Sequence, residues 1–124
     1  MKVRQFAFYG TLRLGMSNFQ VYQASLRYLR TVVLPGFDLY DAGAYPYAVR
    51  SSQPGACIVV DLMEVIDEHT QKLIDALEFD AGYFLDTVII DDDKFGIYLY
   101  QQNLSSDLLI ESGDWKVHCN RLDF

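Results

Sequence analysis

One short segment near the start of the chain has the composition of an anion-binding turn. Tyr9-Gly10-Thr11-Leu12-Arg13 comes at the end of a segment of strand composition. Backbone N–H groups in a small loop, with a glycine that lets them converge, can bind a carboxylate or an oxyanion, and Arg13 would add positive charge. A glycine turn after a strand is also an ordinary structural feature, so the local residues leave both interpretations open.

Glu78 is the second candidate, because its predicted position on a helix would perturb its carboxylate. With about 100° per residue, Leu73, Ile74 and Leu77 predict a buried stripe, and Glu78 falls about 40° beyond its edge. It also lies in the predicted last turn, where the helix dipole disfavours negative charge. Partial burial and the dipole both raise the pKa of a carboxylate, which suits a group that transfers protons. Many helices end on an ordinary solvated Glu, and that alternative stays open.

The tyrosines form a third candidate group. Tyr98 and Tyr100 share one face of a predicted strand, by the two-residue period, and Tyr83 begins the neighbouring strand. Their hydroxyls suit a ligand pocket, although tyrosines in a core or a half-exposed sheet are the more ordinary outcome. The polar segment 109–115 is expected to be a turn that anchors the single tryptophan, Trp115.

Metal and nucleophile chemistry lack the residues that they need. His69 and His118 are the only histidines, and neither is spaced four residues from another histidine or a cysteine. The adjacent His118-Cys119 pair is not a zinc-binding spacing, so we predict no metal site. Two cysteines are too few for the disulfide framework of a small secreted domain. The sequence contains no nucleophile elbow, phosphate-binding loop or dinucleotide-binding glycine motif.

Composition predicts a single globular domain spanning residues 1–124. The chain is 51% hydrophobic and 15% aromatic, which is enough for a core. Its net charge of -7, from 10 basic and 17 acidic residues, would repel a phosphate backbone, so nucleic acid is not an expected partner. The apolar stretch near the start is about five residues, against roughly seven or more in a signal peptide and about twenty in a membrane span. We therefore expect a cytoplasmic protein that binds no membrane.

Periodicity predicts the elements that would position these candidates. Thr70, Leu73, Ile74 and Leu77 recur at helical spacing and predict a main helix at about 67–79, with Asp67 as its N-cap. A short earlier helix is expected between residues 15 and 28, capped by Ser17 or Asn18. Strands are predicted at 3–9, 29–34, 37–40, 45–49, 56–64, 83–90 and 95–100, with tight turns at 35–36 and 41–43 and a solvated hairpin turn at 91–94. This order is typical of an α+β domain with an antiparallel-rich, curled or barrel-like sheet.

The order of these motifs resembles that of the gamma-glutamylcyclotransferase-like family. Tyr9 to Arg13, followed by Gly15 and Asn18, is similar to the family's opening pattern Tyr-Gly-Ser/Thr-Leu…Gly…Asn. The segment from Leu73 to Glu78 looks like the family's Leu-Asp-x-Leu-Glu helix end. Residues 110–115, Ile-Glu-Ser-Gly-Asp-Trp, are similar to the tail of the small bacterial members. The resemblance covers essentially the whole chain.

The resemblance implies a cofactor-free reaction on a small gamma-glutamyl compound, with no partner protein. The α-amine of a gamma-glutamyl group would attack its own γ-carbonyl, releasing 5-oxoproline and a free amine or amino acid. Glu78 is then expected to be the catalytic residue. The expected substrate-binding residues share the turn and the tyrosine-rich strands: Tyr9, Gly10, Thr11, Leu12, Tyr83 and Tyr100. This interpretation requires the turn and Glu78 to line one cavity, although they are far apart in sequence.

A departure from the family pattern supports an alternative. After Tyr83 the chain has Phe84-Leu85-Asp86, where family members often have one or two arginines. A pocket without catalytic activity is therefore a second hypothesis, in which the same fold serves as a binding module for a small molecule.

Overall fold

The segments predicted as strands form two sheets in the computed structural model, which describes residues 4–122. The elements of the first half are β1 (Arg4–Phe8), α1 (Ser17–Tyr22), a 3-10 turn (Gln23–Ser25), β2 (Leu26–Pro35), β3 (Phe37–Asp41), β4 (Pro46–Arg50) and β5 (Cys57–Val65). Those of the second half are α2 (Glu68–Asp80), β6 (Phe84–Ile90), β7 (Asp93–Leu99), β8 (Leu108–Leu109) and α3 (Trp115–Leu122). Val3, which the sequence assigns to the first strand, lies outside the described residues.

The larger sheet has the strand order β2-β5-β1-β7-β6 and is antiparallel except where β1 runs parallel to β7. The strand β5 lies between β2 and β1, and it buries Ile58, Val60 and Leu62 completely because this face of the strand packs in the core. Arg30 on the edge strand β2 pairs at 2.5 Å with Asp91, in the turn that joins β6 and β7 at the other edge. This contact between opposite edges shows how strongly the sheet is curled. The fold is thus the antiparallel-rich α+β class that the sequence predicts.

The smaller sheet, in the order β4-β3-β8, explains one difference from the prediction. The turn at Pro35-Gly36 is present, with Gly36 at a φ of 91°, but the strands on either side of it do not pair with each other. Gly36 N donates to Ala56 O at 2.9 Å, and Gly36 O accepts from Ser51 N at 2.9 Å. These long-range bonds carry the chain from one sheet into the other.

The hairpin turn between β6 and β7 is confirmed and is shorter than predicted. Asp91 and Asp92 form it, with positive φ values of 51° and 68°, while Asp93 and Lys94 already belong to β7. Asp tolerates this left-handed region better than most residues, which is why two consecutive Asp suit a two-residue hairpin loop.

The helices agree with the prediction in part. Asp67 is the N-cap of α2, since its side chain accepts from Thr70 N at 2.7 Å. The short helix α1 exists, but its N-cap is Met16, so the prediction of Ser17 or Asn18 as the cap is wrong. The helix α3, which begins at Trp115, was not predicted. Asp114 starts it, because its carboxylate accepts from Val117 N at 3.1 Å.

Candidate functional site

A cavity of about 310 Å³ lies where the end of β1, α1, the segment before β4 and the end of α2 meet. It is lined by aromatic and apolar side chains, a few polar groups and one carboxylic acid. The lining residues are Ala7, Phe8, Tyr9, Gly10, Thr11, Leu12, Ser17, Asn18, Ala44, Tyr45, Pro46, Leu77, Glu78, Ala81, Tyr83 and Tyr98. The structure therefore brings the predicted turn and Glu78 to the walls of one cavity.

The turn after β1 owes its shape to contacts with two other segments. A Cβ atom at Gly10 would lie 2.8 Å from Pro46 Cγ, so glycine is required there by the close approach of the segment before β4. Thr11 O accepts from the backbone N atoms of Asn18 and Phe19 at 2.9 and 3.1 Å. Within residues 4–122, the amides of Thr11 and Leu12 make no hydrogen bond to protein groups.

Asn18 is a site residue that was predicted only as a candidate helix cap and as part of the family pattern. It lines the cavity, and its side-chain amide donates to Thr11 Oγ1 at 2.7 Å. Because this bond occupies the oxygen of the hydroxyl as an acceptor, the hydroxyl hydrogen of Thr11 points elsewhere. Asn18 therefore fixes both the backbone and the side chain of Thr11.

Arg13 does not add positive charge to the cavity, and that prediction is corrected. The residue is 4% exposed, is absent from the cavity lining, and forms a buried ion pair. Its Nε lies 3.3 Å from Asp61 Oδ2, and its second guanidinium arm lies 2.8 Å from Asp114 Oδ1. A buried guanidinium requires such partners, because an unpaired buried charge is costly.

Glu78 lies on the buried face of α2, not beyond its edge. The buried residues of this helix are Thr70 and Ile74, four residues apart, and Glu78 continues the same line four residues further on. Leu73 and Leu77, which the sequence predicts to be buried, are 44% and 38% exposed. The buried stripe of the helix thus runs through its acid and not through its leucines.

The environment of Glu78 is that of a proton-transfer group. Burial raises its pKa from 4.5 to about 7, and no charged or hydrogen-bonding group among the described residues opposes this shift. The Glu78 charge in turn contributes, after burial, to raising the pKa of Tyr9, Tyr83 and Tyr98. Since these three tyrosines line the cavity, the carboxylate faces the cavity. A carboxylic acid with a pKa near neutrality can both accept and return a proton.

The tyrosine hydroxyls donate to nearby backbone carbonyls. Tyr9 donates to Tyr98 O at 2.5 Å and Tyr83 to Pro46 O at 2.5 Å. Tyr100 donates to Ala81 O at 2.6 Å and is not among the cavity-lining residues. Tyr83 reaches the cavity as expected, whereas the structure does not bring Tyr100 to it.

Tyr98 lies on the cavity wall, where the sequence predicts Tyr100. Its hydroxyl donates to Asp75 on α2. Asp75 was predicted to face water and is instead half-buried against this strand. The two-residue period placed both tyrosines on one face, which is the signal that could have identified Tyr98.

Metal ligands and membrane-crossing helices were both considered for the described residues. Within residues 4–122, no three His, Cys, Asp or Glu side chains lie close enough together to hold a metal ion. None of the helices described here is long and apolar enough to cross a membrane.

The curled α+β fold places a carboxylic acid and a glycine turn on one cavity, and comparison with known proteins gives the family. Residues 6–117 match the family described as "Gamma-glutamyl cyclotransferase, AIG2-like". The chain belongs to this family. In the three comparisons that follow, the similarity covers at least 86% of each chain.

Three proteins illustrate this similarity. A protein of Vibrio cholerae serotype O1, named "Putative gamma-glutamylcyclotransferase", is 37% identical over 115 residues, which cover 92% of this chain and 94% of that protein. The "Gamma-glutamylcyclotransferase family protein YtfP" of Escherichia coli K12 is 32% identical over 110 residues, covering 86% and 91%. The crystal structure of an uncharacterized protein from Pyrococcus horikoshii superposes with a TM-score of 0.77 at 27% identity, covering 96% of each chain.

Proposed function

We propose that this protein is a cyclotransferase that cleaves a gamma-glutamyl amine or peptide and releases 5-oxoproline. The observation that carries the proposal is the position of Glu78. Its carboxylic acid makes no hydrogen bond or ion pair with any residue from 4 to 122, has a pKa near neutrality, and shares a cavity with the turn at 9–12. These features support a reaction in which protons move between two nitrogen atoms of one small substrate.

The reaction forms one C–N bond and breaks another. The α-amine attacks the γ-carbonyl carbon to close a five-membered ring, and the tetrahedral intermediate collapses by expelling the nitrogen of the leaving amine. No water is consumed. Because the nucleophile and the carbonyl belong to the same molecule, a cavity that holds the folded conformer supplies much of the acceleration.

Glu78 would manage the protons. The α-ammonium must lose a proton before it can attack, and the attacking nitrogen loses another after the ring closes. The leaving nitrogen gains both, so the carboxylate returns to its starting state after each transfer. A group with a pKa of about 7 suits both directions of transfer near neutral pH.

The turn would bind the α-carboxylate of the substrate. The amides of Thr11 and Leu12 are unpaired within the described chain and belong to residues that line the cavity, so they would suit the carboxylate of the gamma-glutamyl group. The oxygen atoms of Tyr9 and Tyr83, whose hydrogens are directed at carbonyls, can accept hydrogen bonds from the α-ammonium. The two halves of the cavity thus match the two charges of the substrate.

The test is release of 5-oxoproline from a panel of gamma-glutamyl amines and peptides, followed by mass spectrometry. We expect Glu78→Gln to lower the rate by about a hundredfold or more, since general acid–base groups contribute on that order. The matched control is Glu68→Gln on the exposed first turn of the same helix, which should leave the rate unchanged. A Glu78→Gln variant with full activity would show that Glu78 is not the proton carrier.

A non-catalytic binding module is the second candidate. It is favoured by the absence of Lys, Arg or His from the lining of the cavity, as far as residues 4–122 show. It is also favoured by Asp86, an acid in the segment where family members often have arginine, which pairs with Arg50 at 3.0 Å. In this case 5-oxoproline or a gamma-glutamyl compound should raise the melting temperature of the protein while no product forms. The mass spectrum of the same mixture distinguishes the two candidates.

A further inference from the structure

The buried ion pair behind the turn connects three segments that are far apart in sequence. Asp61 on β5 is 1% exposed, and its carboxylate accepts from Arg13 Nη2 at 3.4 Å, Leu14 N at 2.8 Å and Thr31 Oγ1 at 2.7 Å. Its carboxylate therefore holds both a side chain and a backbone amide of the segment that follows the turn. Charge-assisted bonds of this kind are short and directional, and they fix position as well as add energy.

Arg13 also ties the turn to the start of α3. Its guanidinium bonds Asp114 Oδ1 at 2.8 Å, and the same carboxylate caps the helix through Val117 N. Lys116, 3.8 Å from Asp61, places a second cation at the same cluster. The planar fork of an arginine can bridge two carboxylates in fixed directions, which the flexible ammonium of a lysine cannot do.

Residues 9–12 line the cavity, whereas Arg13, the next residue, does not line it and forms the ion pair with Asp61. Arg13 N donates to Gly10 O at 3.0 Å, which closes residues 10–13 into one tight turn. A displacement of the Arg13 backbone is therefore expected to rotate the peptide groups 10–11 and 11–12 inside the turn. Those peptide groups carry the amides of Thr11 and Leu12.

We propose that Arg13 and Asp61 are positioning residues, which aim the amides of Thr11 and Leu12 into the cavity without touching the substrate. The inference rests on the proposed function, which assigns those amides to the substrate carboxylate. It follows that weakening the ion pair lowers affinity for carboxylate ligands and leaves proton transfer at Glu78 intact.

The first test uses Arg13→Lys, which keeps the buried positive charge and removes the two-armed geometry. We expect KM for a gamma-glutamyl substrate and Kd for 5-oxoproline to rise together by about tenfold, because each ligand carries the carboxylate. The value of kcat should stay within twofold of the wild-type value. The midpoint of its pH profile should stay within a few tenths of a pH unit of the wild-type midpoint. Arg30→Lys, in the exposed ion pair with Asp91, is the matched control and should change none of these values.

A second measurement does not depend on activity. In ¹⁵N–¹H spectra of the ligand-free protein, Arg13→Lys should shift the amide signals of Thr11 and Leu12, and Arg30→Lys should not. If Arg13→Lys does not fold, Asp114→Asn serves instead, since its retained oxygen can still cap α3 while the ion pair to Arg13 is weakened. A folded variant with unchanged KM and unchanged signals at both amides overturns the inference.

The outcomes separate this inference from the proposed function. If the wild-type protein releases no 5-oxoproline, the cyclotransferase proposal fails. Shifted Thr11 and Leu12 signals in Arg13→Lys would then still support the positioning role, and unshifted signals would remove it.

Discussion

The raised pKa of Glu78 predicts that this residue destabilises the folded protein at neutral and alkaline pH. Between pH 4.5 and 7 the unfolded chain has lost the proton of Glu78 while the folded chain still holds it. The folded state therefore binds more protons in this range, and the free energy of unfolding falls as pH rises. The contribution is absent below pH 4.5 and complete above pH 7.

The magnitude follows from the size of the shift. A change from 4.5 to about 7 corresponds to about 3 kcal/mol, at ~1.36 kcal/mol per pKa unit. Gln at position 78 is neutral at every pH and lacks this term. The Glu78→Gln variant should therefore gain about 3 kcal/mol relative to the wild type between pH 4 and pH 8.

Urea denaturation of both proteins at several pH values provides the measurement. Trp115 is the only tryptophan and is buried, so its fluorescence reports unfolding. All other titrating groups are shared and cancel in the difference between the two proteins, provided that their m-values agree. A difference that stays constant between pH 4 and pH 8 would refute the burial of the carboxylate and the argument for its raised pKa.

Three further predictions concern the same machinery. The value of kcat/KM should rise tenfold per pH unit up to a midpoint near 7 and then level off, as Glu78 loses its proton; a midpoint near 4.5 in a rate profile would contradict this. Gly10→Ala should weaken 5-oxoproline binding in a titration and cost about 1–3 kcal/mol of stability in urea, because the added Cβ overlaps Pro46. Asp67→Ala should cost about 1 kcal/mol in the same denaturation assay through loss of the bond to Thr70 N, with no change in KM.

Local patterns predicted the helix α2 and most strands, because capping and periodicity act over a few residues. They did not predict which face of α2 is buried. Hydrophobicity put Leu73 and Leu77 inside, but the helix packs on the core through Thr70 and Ile74 and reaches the cavity with Glu78. Only the tertiary arrangement decides that rotation. The residue type of Glu78 and its place in the family pattern identified it as a candidate, but the sequence predicted less burial than the structure has.

Long-range contacts account for the other differences. Arg13 could be recognised as a cation next to a turn, but its partners Asp61 and Asp114 are 48 and 101 residues away. The choice between Tyr98 and Tyr100 depends on where α2 crosses the strand, which the two-residue period does not contain. In each case the residue type was visible in the sequence and its partner was not.

The register shift between Tyr28 and Arg30 on β2 would hinder edge-to-edge pairing with another molecule. β2 is ten residues long and lies at the edge of its sheet, so its outer backbone groups offer a template on which the strand of another molecule could form. The bulge interrupts that template near its middle and increases the local twist. Arg27 and Arg30 place charges on either side of the interruption, and a flat intermolecular sheet would have to grow past both.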